Sequence, residues 1–245
     1  MLSLVVIAKN EADRLESCLG SVPFADEVIV LDSGSTDGTP EVAERCGARV
    51  LRTDWPGHVI QKNRALAEAS RDWVLSLDAD ERLSTEAAAE LREALERPGD
   101  AVGFSFPRCS SWLGHPIRHG RWYPDRKLRV VRRGRGRWVG DDPHDLLVAD
   151  GPTRRLSGDI LHAPYRDLSE HLRTIDRYTD VQSQRLVARG VRARWYDVGL
   201  RPPLHFVDAY LLRRGFLDGV PGLAVAALGA THVLCKWTRV WLRGR

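Results

Sequence analysis

Three short apolar runs, each breaking into a polar cluster, constrain this chain more than any other feature. Leu4-Val5-Val6-Ile7 leads into Lys9-Asn10-Glu11, Val28-Ile29-Val30-Leu31 into Asp32–Asp37, and Trp73–Leu77 into Asp78–Glu81. Continuous apolar runs of this length read as strands buried on both faces. Between them the apolar period lengthens to that of a helix. Glu11–Val22 sets Leu15, Leu19 and Val22 on one helical face, Thr39–Cys46 stops at Gly47, and Gln61–Ser70 follows a short strand at Val50-Leu51. Thr85–Glu96 predicts a helix with Ser84 or Thr85 as its N-cap and Pro98-Gly99 as its stop, and Val102–Phe106 predicts another strand. Alternation of this kind gives an α/β fold, a Rossmann-like and mainly parallel sheet with helices on both faces. Such sheets bind ligands outside the carboxyl ends of their strands. The three polar clusters stand at those ends, so separate stretches of chain converge on one edge.

At 245 residues the chain has room for one large domain with an appendage. The four cysteines, Cys18, Cys46, Cys109 and Cys235, have neither metal-ligand nor C-x-x-C spacing and read as free thiols of a reducing cytoplasm. The formal charge of +4 is concentrated in 126–137 and 236–245. A basic surface suits phosphates or anionic lipid, and no nucleic-acid motif accompanies this one. From residue 107 to 165 the composition turns to Gly, Arg, Trp and Pro, which predicts loops and short strands, and Leu168–Gly190 predicts a helix. Val220–Leu234 is apolar but holds Pro221, Gly222 and Gly229, and it falls short of the ~20 residues of a spanning helix. No transmembrane segment is expected.

The clusters are rich in hard oxygen ligands. Asp78-Ala79-Asp80 closes a buried strand, and period-two alternation carried through it sets both carboxylates on one side. That pair suits Mg²⁺ or Mn²⁺, which complete their shells with water and substrate phosphates. Asp32-Ser33-Gly34-Ser35-Thr36-Asp37-Gly38-Thr39 offers Asp32 to a base or ribose among small residues that let backbone approach a ligand, while Asp37 or Thr39 also suits a helix cap. No G-x-G-x-x-G follows the first strand, which argues against a dinucleotide cofactor.

With these residues in view, the chain resembles family 2 glycosyltransferases of the GT-A fold, in the bacterial branch of lipopolysaccharide-core glucosyltransferases. The likeness rests on Ala8-Lys9-Asn10-Glu11, Asp32–Thr39, Gln61-Lys62-Asn63-Arg64-Ala65 and Trp73–Glu81. It continues through Gly120-Arg121-Trp122-Tyr123-Pro124-Asp125, Leu128-Arg129, Pro143-His144-Asp145 and Leu161-His162. The resemblance implies a GT-A domain over 1–200 and a basic amphipathic helical extension over 201–245. It further implies that Asn10, Glu11 and Asp32 face the uridine of a UDP-sugar, that Lys62 lies near the donor, that Asp78 approaches its ribose or diphosphate, and that Asp80 holds the metal. His144-Asp145 stands where the branch has His-Glu, which makes Asp145 the general base for the acceptor hydroxyl, one methylene shorter than usual.

Trp122, Tyr123 and Asp125 read as acceptor contacts, since aromatic faces stack on sugar rings, and Trp122 equally suits a core position. Arg129 with Arg126, Lys127, Arg132 and Arg133 suits a diphosphate, an acidic acceptor or a solvated face. In the tail, Phe206, Tyr210, Leu211, Phe216 and Leu217 alternate with Arg213 and Arg214, and Lys236, Arg239, Arg243 and Arg245 close the chain beside Trp237 and Trp241. Such segments suit an anionic membrane surface, or a helix packed on the domain. The expected activity is inverting transfer from a UDP-sugar to a saccharide or lipid-linked saccharide, in the cytoplasm or peripherally on the inner face of its membrane. Three readings compete: a polyprenyl-phosphate acceptor or another nucleotide-sugar donor, a sugar-nucleotide binder without turnover, and a charge-based adaptor.

Overall fold

The computed structural model describes residues 1–141 and 144–244. By its contacts the chain divides into two units, Met1–Arg108 with Asp125–His162, and Cys109–Pro124 with Ala163–Arg245. The division departs from the 1–200 and 201–245 partition expected from the sequence, because the helix from Leu168 groups with the tail.

The first unit is built on β1 (Leu2–Ala8), β2 (Glu27–Asp32), β3 (Arg49–Arg52) and β4 (Trp73–Asp78). These pair in parallel in the order β3-β2-β1-β4. Every residue of β1 is buried, as its unbroken apolar run requires. Helices α1 (Ala12–Gly20), α2 (Thr39–Arg45), α3 (His58–Glu68) and α4 (Thr85–Glu96) supply the crossovers. One core holds Leu15, Leu19, Phe104 and Leu91 with alternate residues of β1 and β4, and the opposite face packs Val5, Ile29 and Val74 with Ala65 of α3. Ser84 Oγ accepts a hydrogen bond from Ala87 N at 3.1 Å and caps α4 as expected.

The stretch expected as loops and short strands holds a mainly antiparallel set, with only β11 pairing in parallel among its described strands. Beyond β5 (Glu81–Leu83) run β6 (Gly103–Trp112), β7 (His115–Pro116), β8 (Asp125–Arg132), β9 (Gly136–Asp141), β10 (His144–Ala149), β11 (Thr153–Arg155) and β12 (Ile160–His162). Strand β8 pairs antiparallel with β4 and with β6, and so carries the sheet past its parallel half. Strands β9 and β10 form a separate two-stranded ribbon. Its arginines and glycines hide the signal, yet Val131, Trp138 and Leu147 form a small core beneath it.

The second unit contains α5 (Leu168–Ala188), α6 (Trp195–Gly199), α7 (Arg201–Val207) and α8 (Gly219–Arg243), with a π-helical turn at 208–212 and a 3-10 turn at 215–218. Helix α8 runs unbroken through Pro221, Gly222 and Gly229. Pro221 lies in the first turn, where a missing N–H is not needed. Gly222 is required there, since a Cβ would stand 2.0 Å from the Gly215 carbonyl oxygen. The helix is thus long and apolar enough, by length and composition, to cross a membrane, where the sequence argument took those residues as interruptions. Its last turns are tied to α5: Arg239 donates to the Asp176 carboxylate and to Thr179 Oγ1, and Arg243 to the Asp180 carboxylate and to Ser183 Oγ.

Candidate functional site

The site is assembled at the carboxyl ends of β1, β2 and β4. In the sheet register Asp32 pairs with Ala8 and Asp78 with Ile7. The two aspartates therefore flank the end of β1, roughly 10 Å apart across two strand spacings.

The Asp32 side is a loop of small residues wrapped around one buried carboxylate. Asp32 is 1% exposed, and it accepts hydrogen bonds from Gly34 N at 3.1 Å and Ser35 N at 3.2 Å. Gly34 holds φ +79°, a conformation that favours glycine. Asn10, also left-handed at φ 59°, locks this loop to the end of β1: its Oδ1 accepts from Thr36 N and its own N–H donates to Ser35 Oγ, each at 2.9 Å. Asp37 accepts from Ala12 N at 3.1 Å and Thr39 N at 3.2 Å. It thereby joins the first turns of α1 and α2, and with Thr39 and its neighbours it falls below the usual carboxylate range through hydrogen bonds that outweigh its slight burial. An open cleft of about 480 Å³ is lined by Asp32, Gly34, Ser35 and Thr36 with Arg52, Thr53 and Asp54 across it. Gln61 supports the cleft from α3, donating to Ser33 Oγ at 3.0 Å and also to Thr53 Oγ1.

On the other side of β1 stands a buried charge cluster. Lys62, 4% exposed, places Nζ 2.6 Å from Asp78 Oδ1 and 2.6 Å from Asp145 Oδ2. The same ammonium lies 4.3 Å from the centroid of the Trp138 ring. Next to Lys62, Asn63 donates to Trp138 O and accepts from Trp138 N, both at 2.9 Å, which fastens the β9–β10 ribbon to α3. Arg129 donates from Nη2 to Asp78 Oδ2 at 3.0 Å and grips Glu81 through Nε at 2.8 Å and Nη2 at 2.7 Å. Burial raises the cost of charge on Asp78, yet Lys62 and Arg129 outweigh it and hold the carboxyl far below the usual range. Glu81 is treated alike: burial and Asp78 oppose its charge, and Arg129 and Arg108 more than offset them. Burial, followed by the carboxylates of Glu81, Asp80 and Asp78, pushes the Cys18 thiol up and keeps it inert.

Asp78 and Asp80 have different partners. Strand geometry ends at Asp78 and Ala79-Asp80 turns away, so the period-two expectation fails. Asp80 Oδ2 instead lies 3.3 Å from His162 Nε2 at the end of β12 and 3.9 Å from Arg14 Nη1. Arg14 also reaches Glu11 Oε2 at 3.8 Å, so the Glu11 carboxylate faces α1. Among the described residues no three His, Cys, Asp or Glu converge as a closed metal cage. One carboxylate with one imidazole still fits Mg²⁺ or Mn²⁺, whose remaining ligands are normally water and phosphate oxygens. His162 is the residue that sequence reasoning passed over: it stood in a matched motif without a role, 82 positions from Asp80.

Other expected contacts are redirected. Arg129, expected on a phosphate or acceptor, is 4% exposed and spent on Glu81 and Asp78. Asp125 binds Arg108 at 2.6 Å and Lys127 at 3.1 Å. Arg126 donates to the Ser105 and Leu156 carbonyls, and Arg132 lies over the Trp73 ring, so the basic run does not converge on one anion. Trp122 and Tyr123 belong to the second unit. There Trp122 is half-buried, 6.0 Å from His171 and 6.3 Å from Tyr165 between ring centroids, and Tyr165 stacks on His171 at 3.9 Å. At His144 only the backbone, the first residue of β10, is described, so its expected side-chain contact lies outside what the structure describes.

A parallel half-sheet continued by antiparallel strands, with buried acids at the strand ends, is the GT-A arrangement expected from the sequence. A model of Glycosyl transferase family 2 matches residues 3–146, and the chain belongs to that family. It is similar to the lipopolysaccharide core biosynthesis glycosyltransferase LpsC of Rhizobium meliloti (strain 1021), at 28% identity over 99% of this chain and 92% of that protein. Uncharacterized glycosyltransferase RC0292 of Rickettsia conorii is 46% identical over 98% of this chain and 89% of its own. Among solved structures, glucosyl-3-phosphoglycerate synthase from Mycobacterium tuberculosis with Mg²⁺ and UDP aligns with a TM-score of 0.39 and 31% identity over 43% of each chain. This chain spans under half the length of the solved chains it resembles.

Proposed function

We propose that this chain transfers a sugar, with inversion, from a UDP-sugar to a hydroxyl of a saccharide or lipid-linked saccharide during assembly of a cell-envelope glycan. The observation that carries the reading is the Asp78–Lys62–Asp145 relay, set one strand from the Asp32 cleft. The cleft takes the uridine, with Asp32 accepting from base or ribose, and the diphosphate extends past the end of β1 toward Asp78 and Lys62. Asp80 and His162 hold Mg²⁺ or Mn²⁺, which neutralises charge on the diphosphate when bound. Asp145 receives the proton of the acceptor hydroxyl as its oxygen attacks the anomeric carbon and the bond to the diphosphate breaks. In the unliganded arrangement Lys62 neutralises that carboxylate. An incoming diphosphate competes for the ammonium and leaves Asp145 free to act as base.

LpsC supports the envelope setting by its name and whole-length likeness. Four cysteines with no disulfide among them suit the cytoplasm, where nucleotide sugars are made. The deciding experiment is calorimetry of the purified chain with UDP, with and without Mn²⁺, beside Asp80→Ala. Metal-dependent binding that the substitution abolishes supports the donor site. Folded protein that ignores UDP under both conditions overturns the UDP-sugar reading.

A further inference from the structure

The helical unit exposes an apolar surface that its own packing leaves uncovered. Between Leu200 and Leu223 nine large apolar side chains are exposed, Leu212 at 73% and Val220 at 76%. Scattered exposed apolar residues need no explanation, but contiguous ones mark contact surfaces. These are not scattered. Leu200, Leu204, Val207 and Leu211 recur at intervals of four, three and four along α7 and the π-helical turn. Phe216, Val220 and Leu223 recur at four and three along the 3-10 turn and the start of α8. Each set forms a stripe on one side of its helix. The connection between the stripes is Leu212-Arg213-Arg214, all three exposed.

Charge selects the occupant. From Arg189 to the end the chain carries ten Lys and Arg against three Asp. All three aspartates are already paired, Asp197 with Arg201 at 2.6 Å, Asp208 with Arg213 at 3.0 Å and Asp218 with His119 at 2.7 Å. Among the described residues no carboxylate is paired with the side chain of exposed Arg192, Arg194 or Arg214, which border the stripes in sequence and carry positive charge. A second copy would bring like charge against like, whereas an anionic bilayer offers apolar depth and opposite charge together. The terminal cations are not part of this surface, because Arg239 and Arg243 are spent on α5. Those same bonds hold α8 as a member of the helical unit.

We propose that residues 195–223 lie in the headgroup layer of an anionic bilayer, with the two stripes facing the acyl chains, the arginines on lipid phosphates, and α8 not crossing. The proposal assigns a surface to the peripheral placement and stands apart from the chemistry of the first unit.

The test is flotation of the full chain with vesicles of phosphatidylcholine plus phosphatidylglycerol, against phosphatidylcholine alone. The expected result is flotation on the anionic vesicles, reduced roughly tenfold or more on neutral ones and by molar salt. Leu212→Glu with Phe216→Glu and Leu217→Glu reduces it comparably, and Arg192→Glu with Arg214→Glu does so with the apolar stripes intact. UDP calorimetry on the same variants reports whether the first unit is folded, so failure here and failure of the transfer reading are distinguishable. Absent flotation, equal flotation on neutral vesicles, or variants that float like the parent overturn the proposal. So does a dimer in sedimentation equilibrium that the triple variant dissolves, which assigns the face to a second copy. Protein that only detergent removes from membranes overturns it in favour of α8 as a span.

Discussion

Lys62 Nζ on α3 stands 2.6 Å from Asp145 Oδ2 on β10, an ion pair closed across 83 residues of sequence. The ammonium is almost wholly buried and has Asp78 at the same distance on its other side. One cation therefore holds the end of the parallel sheet and the antiparallel ribbon together. Lys62→Met leaves two carboxylates facing each other without it. Breaking a buried pair costs about 3–5 kcal/mol, which for a chain of this size lowers the melting temperature by roughly 6–20 °C. A thermal melt reads this directly, and an unchanged midpoint refutes the pairing. UDP affinity should fall in the same variant and recover in part in Lys62→Arg.

Asp145→Asn keeps the size of the side chain and removes its basicity. The expected loss in kcat is about 10²–10⁴-fold, with UDP binding kept or tightened, since the substitution removes the carboxylate that competes with a diphosphate for Lys62. Asp145→Glu, which extends the carboxylate by one methylene, should retain turnover. Transfer kinetics with equal rates for the parent and Asp145→Asn would remove Asp145 from the chemistry.

His162→Ala should imitate Asp80→Ala in donor binding. Each deletes one partner of a pair 3.3 Å apart, so Mn²⁺-dependent UDP affinity falls by roughly tenfold or more while metal-free binding stays level. Titration of UDP at fixed Mn²⁺ separates these outcomes. A His162 variant with full metal dependence places the second ligand elsewhere.

Acid sensitivity should appear in two windows. Burial, then the neighbouring His232, pushes His171 down to about 4, and burial with Lys236 and His205 does the same to His232. Unfolded, these rings bind protons from about pH 6.5 downward, so between 6.5 and about 4 the unfolded state gains protons that the folded state refuses. Stability drops with falling pH across that window. Trp112 Nε1 donates to His171 Nδ1 at 3.2 Å, which requires the neutral ring. In Asp78 and Glu81 the folded carboxyls are depressed, so their contribution is present above about pH 4 and lost below it. Melting temperature against pH checks both, and His171→Gln should flatten only the upper window.

The parallel half of the fold was legible because local chemistry dictates it. The runs at Leu4, Val28 and Trp73 admit no other element, and Ser84 marks the start of α4 where the structure has it. The antiparallel half was not, because the signal of Trp138 and Leu147 is diluted by arginines and glycines that a lone ribbon tolerates on its exposed side. In the site, residue type and position at strand ends pointed to Asp32, Asp78 and Asp80. What they touch was invisible, since the pairings Asp80–His162, Arg129–Glu81 and Lys62–Asp145 join residues tens of positions apart. The full length of helix α8 was hidden for a local reason: Pro221 counts as a breaker inside a helix but not in its first turn.

The turn at Ala79 has a consequence for how this chemistry can be altered. Had the strand continued, Asp78 and Asp80 would act as one chelate, and any change to either would disturb both. Instead each answers to separate partners, Asp78 to Lys62 and Arg129, Asp80 to His162 and Arg14. Under the proposed roles, metal preference and the electrostatics of the leaving group are thereby separable. Exchanging the Asp80–His162 pair for a softer or harder ligand set should then leave the buried salt bridges around Asp78 as they are.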